Sequence, residues 1–193
     1  MARVILFDVN ETLLDLAALD PYFVRVFGDA EGRALAEGMR RLPPHPEVPE
    51  RLRRLRDVGL CLATLTNSTA AVGEAQLTNA GLRDLFEQAL SADIVRRLKP
   101  APEPYRLAAE QLGVPLEQIR LVAAHAWDIA GARRVGCATA FVARPGQVLD
   151  PLAPGSSVPI CARSPTGSSR WSGRRVHGAV AHDSWLFRNS REV

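Results

Sequence analysis

Val4-Ile5-Leu6-Phe7-Asp8-Val9-Asn10-Glu11-Thr12-Leu13-Leu14 is the stretch that decides the fold class. Its four leading apolar residues run without interruption and end on a carboxylate. A strand with one wet face would alternate; a continuous apolar run marks a strand covered on both faces. Further short apolar, β-branched or Ala-rich runs follow at Leu60 to Thr66, Gln88 to Ser91, Arg120 to Ala124 and Thr139 to Ala143. Most of them are likewise continuous.

Between these runs lie helical patterns. Pro49 to Asp57 places Leu52, Leu55 and Val58 on one face, with Gly59 as a stop. Ser68 is suited to cap a helix carrying Val72, Ala75 and Leu77 that ends near Gly81. Glu103 to Leu112 is closed by Gly113, and Asp128 to Val135 by Gly136. Strands alternating with helices imply an α/β fold, a doubly wound parallel sheet of five strands.

Two segments break the rhythm. Residues 16–42 separate the first strand from the next core helix and hold at most two short helices; Asp20-Pro21 is a start signal for one. From about Ser156 periodicity is lost and Ser, Gly, Arg, Pro, His and Trp dominate. Such a segment buries too little apolar surface to offset its ordering entropy. It reads as a low-order basic tail, or equally as the wrong frame of a GC-rich gene. The expected division is a core of 1–15 and 43–155, an insertion at 16–42 and a tail at 156–193.

Charge supports this division. The net charge is +3, yet from Arg163 onward six arginines face only Asp183 and Glu192, leaving the first 162 residues at −1. The basic character belongs to the tail, which argues against nucleic acid as a partner. No apolar run approaches the eighteen or so residues that cross a bilayer, so no membrane association is expected. Val4 to Phe7 ends on an acid with no cleavage site, unlike a signal peptide. Cys61, Cys137 and Cys161 are sparse and unspaced for metal, which suits reduced thiols in a cytoplasmic protein. The oligomeric state, monomer or homodimer, is left open.

In an open α/β sheet the working site lies beyond the carboxyl ends of the strands. Four polar clusters stand there: Asp8, Thr66-Asn67, Lys99, and His125 to Asp128. Loop polarity explains each singly but not the set. Asp8 alone would also suit a turn or cap; paired, a carboxylate at a strand end can act as a nucleophile. Lys99 is the only lysine among 24 basic residues, which points to a site needing a compact ammonium on a flexible stem.

Phe7-Asp8-Val9-Asn10-Glu11-Thr12-Leu13, Leu65-Thr66-Asn67-Ser68, Leu98-Lys99-Pro100 and Ala124-His125-Ala126-Trp127-Asp128 resemble, in order and interval, the four motifs of the haloacid dehalogenase superfamily. Lys99 to Tyr105 and the Ala-Trp-Asp turn are most similar to the type II (S)-2-haloacid dehalogenases. The likeness covers roughly residues 2 to 155 and implies a Rossmann-like core. It also implies a small 2-haloacid as substrate and no cofactor. Asp8 would displace halide to form an ester that water then hydrolyses. Lys99 would hold Asp8 ionised. Thr12, Thr66 and Asn67 would orient nucleophile and substrate, and Asn10 would stand in the substrate pocket with Tyr105 assisting. Asp128 would pair with Lys99 or position the hydrolytic water. His125 stands where that branch often has asparagine, and either contacts substrate or serves structure.

The rival is a magnesium-dependent phosphatase of the same superfamily. Its first motif resembles Asp-x-Asp, but Asn10 has no proton to give a leaving group. Magnesium also prefers carboxylate oxygens to the imidazole that His125 offers. Both departures favour a metal-independent dehalogenase. Against it, the insertion of about 25 residues is too short for the helical cap of that branch. Arg25, Arg33 or Arg40 would have to bind the substrate carboxylate, and a non-catalytic core that has lost its cap is a third reading.

Overall fold

The computed structural model describes residues 3–19, 29–144 and 160–162. Strands β1 (Val4–Phe7), β2 (Cys61–Thr66), β3 (Gln88–Ser91), β4 (Ile119–Ala123), β5 (Ala138–Ala143) and β6 (Ile160–Ala162) form one sheet in the order β3-β2-β1-β4-β5-β6. Every pairing is parallel. The described α-helices are α1 (Asp29–Arg40), α2 (Val48–Asp57), α3 (Ala70–Asn79), α4 (Pro102–Leu112) and α5 (Ala126–Arg134). None of those described is long and apolar enough to cross a membrane.

The alternation along β1 divides the core in two. Ile5 and Phe7 face Leu52 and Leu55 of α2 and Leu77 of α3. Leu6 faces Tyr105 and Ala108 of α4 and Ile129 and Ala132 of α5. Both faces are thus covered, and parallel strands so placed need no polar side. The chain winds outward from β1 to β3, then returns to β4 on the other flank. Phe7 pairs with Thr64 on one side and Val122 on the other, so the winding reverses at β1, and its carboxyl end opens the crevice.

The five expected strands are present, and the structure adds a sixth. Ile160–Ala162 lies inside the segment read as low order and pairs with Phe141 to Ala143. A three-residue strand is too short to leave a periodic signal. The rest of the tail lies outside the described residues, as do Asp20-Pro21.

Helix ends depart from expectation in three places. Val58 is 60% exposed and does not share the face of Leu52 and Leu55, because α2 stops at Asp57 and Gly59 turns the chain at φ 79°. The cap of α3 is Thr69, which accepts from the Val72 amide, and not Ser68; the buried face is Gly73, Gln76 and Leu77. Two capping residues in tandem cannot be ordered by composition. α5 also starts earlier than expected, at Ala126, which puts Asp128 in its first turn.

Residues 16–42 leave and return through a paired neck, where Asp15 N–H donates to Pro43 O (2.9 Å) and His45 N–H to Leu13 O (3.0 Å). Within it are a 3-10 turn at Leu16–Leu19 and the twelve-residue α1. α1 is fastened to α3 at its last turn: Gln76 donates to Met39 O and Asn79 to Arg40 O, both at 2.9 Å.

Candidate active site

The crevice is built around a buried ammonium. Lys99 Nζ donates to Asp8 Oδ1 (2.8 Å), Asp128 Oδ2 (2.6 Å) and Leu65 O (2.8 Å), which uses all three of its protons. Asn67 fixes the lysine backbone from both sides, accepting from Lys99 N–H at 2.8 Å and donating to Lys99 O at 3.2 Å. Trp127 lies over the ammonium at 5.9 Å from the ring centroid. Burial lowers the Lys99 pKa, but Asp8 and Asp128 beside it outweigh this and push it above the ordinary value.

Asp8 follows the last residue of β1, and its amide donates to Val122 O of β4 at 3.0 Å. Its Oδ2 accepts from Thr12 Oγ1 at 2.8 Å and lies 3.2 Å from His125 Nδ1. Thr12 in turn accepts from the Ala124 amide at 2.9 Å, so one hydroxyl joins the ends of β1 and β4. Burial pushes the Asp8 carboxyl up, but Lys99, with the hydrogen bonds from His125 and Thr12, overturns this and holds it at about 2. Asp8 is ionised at any physiological pH.

Asp128 differs. It is fully buried, with Oδ2 on Lys99 and Oδ1 accepting from Tyr105 Oη at 2.6 Å. Burial and the nearby charge of Asp8 raise its pKa. Tyr105, fully buried, is pushed up by burial and then by Asp128, so it stays a donor. It supports Asp128 and does not face the crevice.

The remaining expected residues have other partners. Thr66 is buried and its hydroxyl accepts from the Ser68 amide at 3.1 Å, shaping the turn after β2. Asn10 donates to Ser68 Oγ (3.3 Å) and accepts from Gln76 (2.9 Å), away from Asp8. His125 lies between Asp8 and Glu11, with Nε2 2.5 Å from Glu11 Oε2. Asp8, Thr12, Lys99, Tyr105, His125 and Asp128 therefore form one network, with Asn67 gripping its lysine. Asn10 and Thr66 belong to an adjoining one. Arg40 is exposed beside Glu37, while Arg25 and the side chain of Arg33 lie outside the described residues.

Residues 16–136 match the family of haloacid dehalogenase-like hydrolases, more than half of the chain. This chain belongs to that family. Among curated proteins it is 40% identical over 125 residues to the (S)-2-haloacid dehalogenase of Pseudomonas sp. (strain YL), covering 64% of this chain and 54% of that one. It is 37% identical over 134 residues to haloacetate dehalogenase H-2 of Moraxella sp. (strain B), covering 67% and 60%. This haloacid dehalogenase-like hydrolase thus spans little more than half the length of those relatives. Among solved structures, the L-2-haloacid dehalogenase RSc1362 superposes with a TM-score of 0.70 at 27% identity, covering 78% of this chain and 90% of that one.

Several residues of the hydrolase's site carry no sequence signal of their own. The Leu65 carbonyl that holds Lys99 is backbone. Gln76, buried in α3, reads as a core position in a face of Gly73 and Leu77; a polar residue on that face was the available clue. Gly131 lets α5 approach the Lys99-Pro100 turn: a Cβ there would stand 2.6 Å from Tyr105 Oη and 2.7 Å from Pro100 Cβ. Arg144, ion-paired with Glu47, donates to Thr12 O at 2.6 Å and braces the turn beneath Asp8.

Proposed function

We propose that this hydrolase dehalogenates small 2-haloacids through an ester on Asp8. The arrangement of Lys99 between Asp8 and Asp128 carries the reading. An anionic nucleophile is held ionised in a buried site, and the same ammonium offsets the charge of a bound carboxylate substrate. Asp8 Oδ attacks the carbon bearing the halogen, and halide leaves with the bonding pair and needs no proton. Water then cleaves the ester at Asp8 Cγ, which restores the carboxylate and releases a 2-hydroxy acid. The similarity to haloacid dehalogenases supports this choice of substrate.

The donor set does not suit magnesium. The space between the two carboxylates is taken by Lys99 Nζ, and both Asp128 oxygens are engaged. Asn10, an amide already bonded to Ser68 and Gln76, cannot protonate a leaving group. Lys99, Thr12 and the Asp8 network therefore act without a metal in this reading. We also place the reaction in the cytoplasm, on the strength of the free thiols Cys61 and Cys137 among the described residues.

The test is halide release from 2-chloropropionate in excess EDTA, beside p-nitrophenyl phosphate with magnesium. Halide release is expected to persist in EDTA, with phosphate cleavage marginal. Robust magnesium-dependent phosphate cleavage without halide would overturn the dehalogenase reading and favour the phosphatase. The docking of α1 on α3 favours one other reading, a folded core without turnover; silence of both assays from folded protein would select it.

A further inference from the structure

Hydrolysis of an Asp8 ester needs a base beside Asp8 Cγ that can also meet water. Among the described residues the groups around Asp8 are few. Lys99 is a protonated cation with all its protons placed. Asp128 is fully buried and both its oxygens are engaged. Tyr105 is buried behind Asp128. Thr12 gives its proton to Asp8 and its lone pair to the Ala124 amide.

His125 is different. Its Nδ1 lies 3.2 Å from Asp8 Oδ2 and its side chain is 15% exposed, against 0% for Lys99 and Asp128. Its Nε2 lies 2.5 Å from Glu11 Oε2, and its ring lies against Trp127 at 5.1 Å between centroids. The Glu11 carboxylate fixes the tautomer: Nε2 carries hydrogen, so a neutral ring presents its lone pair from Nδ1, toward Asp8. Glu11 reaches this position with φ at 60°, a left-handed conformation that a non-glycine residue keeps only where its surroundings hold it.

We infer that His125, held by Glu11, is the base that activates water against the Asp8 ester. The inference rests on the ester mechanism proposed above. Among the described residues the charged groups facing His125 are Asp8 at the end of β1 and Glu11 in the turn beyond it; Lys99 and Asp128 lie behind Asp8. In the resting enzyme, hydrogen bonding to Asp8, and then to Glu11, raises the imidazole pKa against the effect of burial and so favours the imidazolium. Ester formation removes the Asp8 charge, and His125 then releases its Nδ1 proton to solvent. Water attacks Asp8 Cγ and passes a proton to Nδ1. The tetrahedral intermediate expels the hydroxy-acid alkoxide, which takes that proton. The new Asp8 carboxyl returns its own proton to His125. One water is consumed and one halide and one proton are released per cycle. The base therefore becomes available only once the ester exists.

The experiment pairs rapid halide release with hydroxy-acid formation and intact mass, for wild type, His125→Gln and Glu11→Gln with 2-chloropropionate. His125→Gln should release about one halide per site, accumulate the ester and slow hydroxy-acid formation by about a hundredfold or more. In Glu11→Gln kcat should fall with little change in KM. Its rise with pH should also move to lower pH, since a neutral partner no longer favours the imidazolium. A purely structural Glu11 would not move that profile. Parallel halide and hydroxy-acid release by His125→Gln, with no ester, overturns the inference. If His125→Gln does not fold, an unchanged pH profile in Glu11→Gln overturns it instead. Failure of the ester mechanism itself shows separately, as a wild type that releases no halide.

Discussion

Asp8→Asn should leave a folded protein that releases no halide, a loss of at least about a thousandfold. The amide keeps the shape of the carboxylate and its contact with Thr12, but it has no charge with which to attack. The fold should survive because Lys99 keeps Asp128 and the Leu65 carbonyl as partners, so the lysine is not stranded. The expected cost is about 1–2 kcal/mol, that of one weakened buried hydrogen bond. Circular dichroism melting beside halide release, under conditions that prevent deamidation, checks both halves. Retention of more than a few per cent of the rate would place the nucleophile elsewhere.

Lys99→Met should have the largest effect on stability of any single change in the site. It leaves Asp8 and Asp128 buried side by side with no cation between them. Removing one partner of a buried ion pair typically costs about 3–5 kcal/mol. The pH dependence has a definite sign. In the wild type Asp8 titrates at about 2, below its ordinary value of 3.8, so its contribution is present above pH 3.8 and is lost as pH falls through 2. In the variant burial pushes both carboxyls up, and the native state binds protons that the unfolded state has released. Its stability then falls as pH rises. The deficit relative to wild type should be largest at pH 7 and shrink toward pH 4. Urea denaturation at both values measures it; a deficit below about 1 kcal/mol at neutral pH, or one that widens in acid, would contradict the buried network.

Much of this was legible in the sequence because the physics is local. Continuous apolar runs ending on Asp8, Thr66 and Ala124 name buried strands, and the strand-end rule then gathers the polar residues that follow them. The solitary lysine marked itself by composition. What could not be read depends on contacts between distant residues. His125 and Glu11 are 114 positions apart, and no spacing rule joins them. Gly131 is required by Pro100 and Tyr105, which only the docking of α5 on α4 brings near. Asn10 and Thr66 showed the right residue types in the right motifs, yet turn geometry directs them to Ser68 and Gln76. Val58 followed the helical period correctly but fell one residue beyond the end of α2.

The ester on Asp8 is tested most directly by a single turnover of excess enzyme with 2-chloropropionate in oxygen-18 water. Attack by water at Asp8 Cγ leaves the heavy oxygen in the Asp8 carboxylate, and the first hydroxy acid formed carries ordinary oxygen. Mass spectrometry of the peptide containing Asp8 should therefore show the label, and the product should not. Label in the hydroxy acid with an unlabelled Asp8 would mean that water displaces the halide itself, and would contradict the nucleophilic role of Asp8.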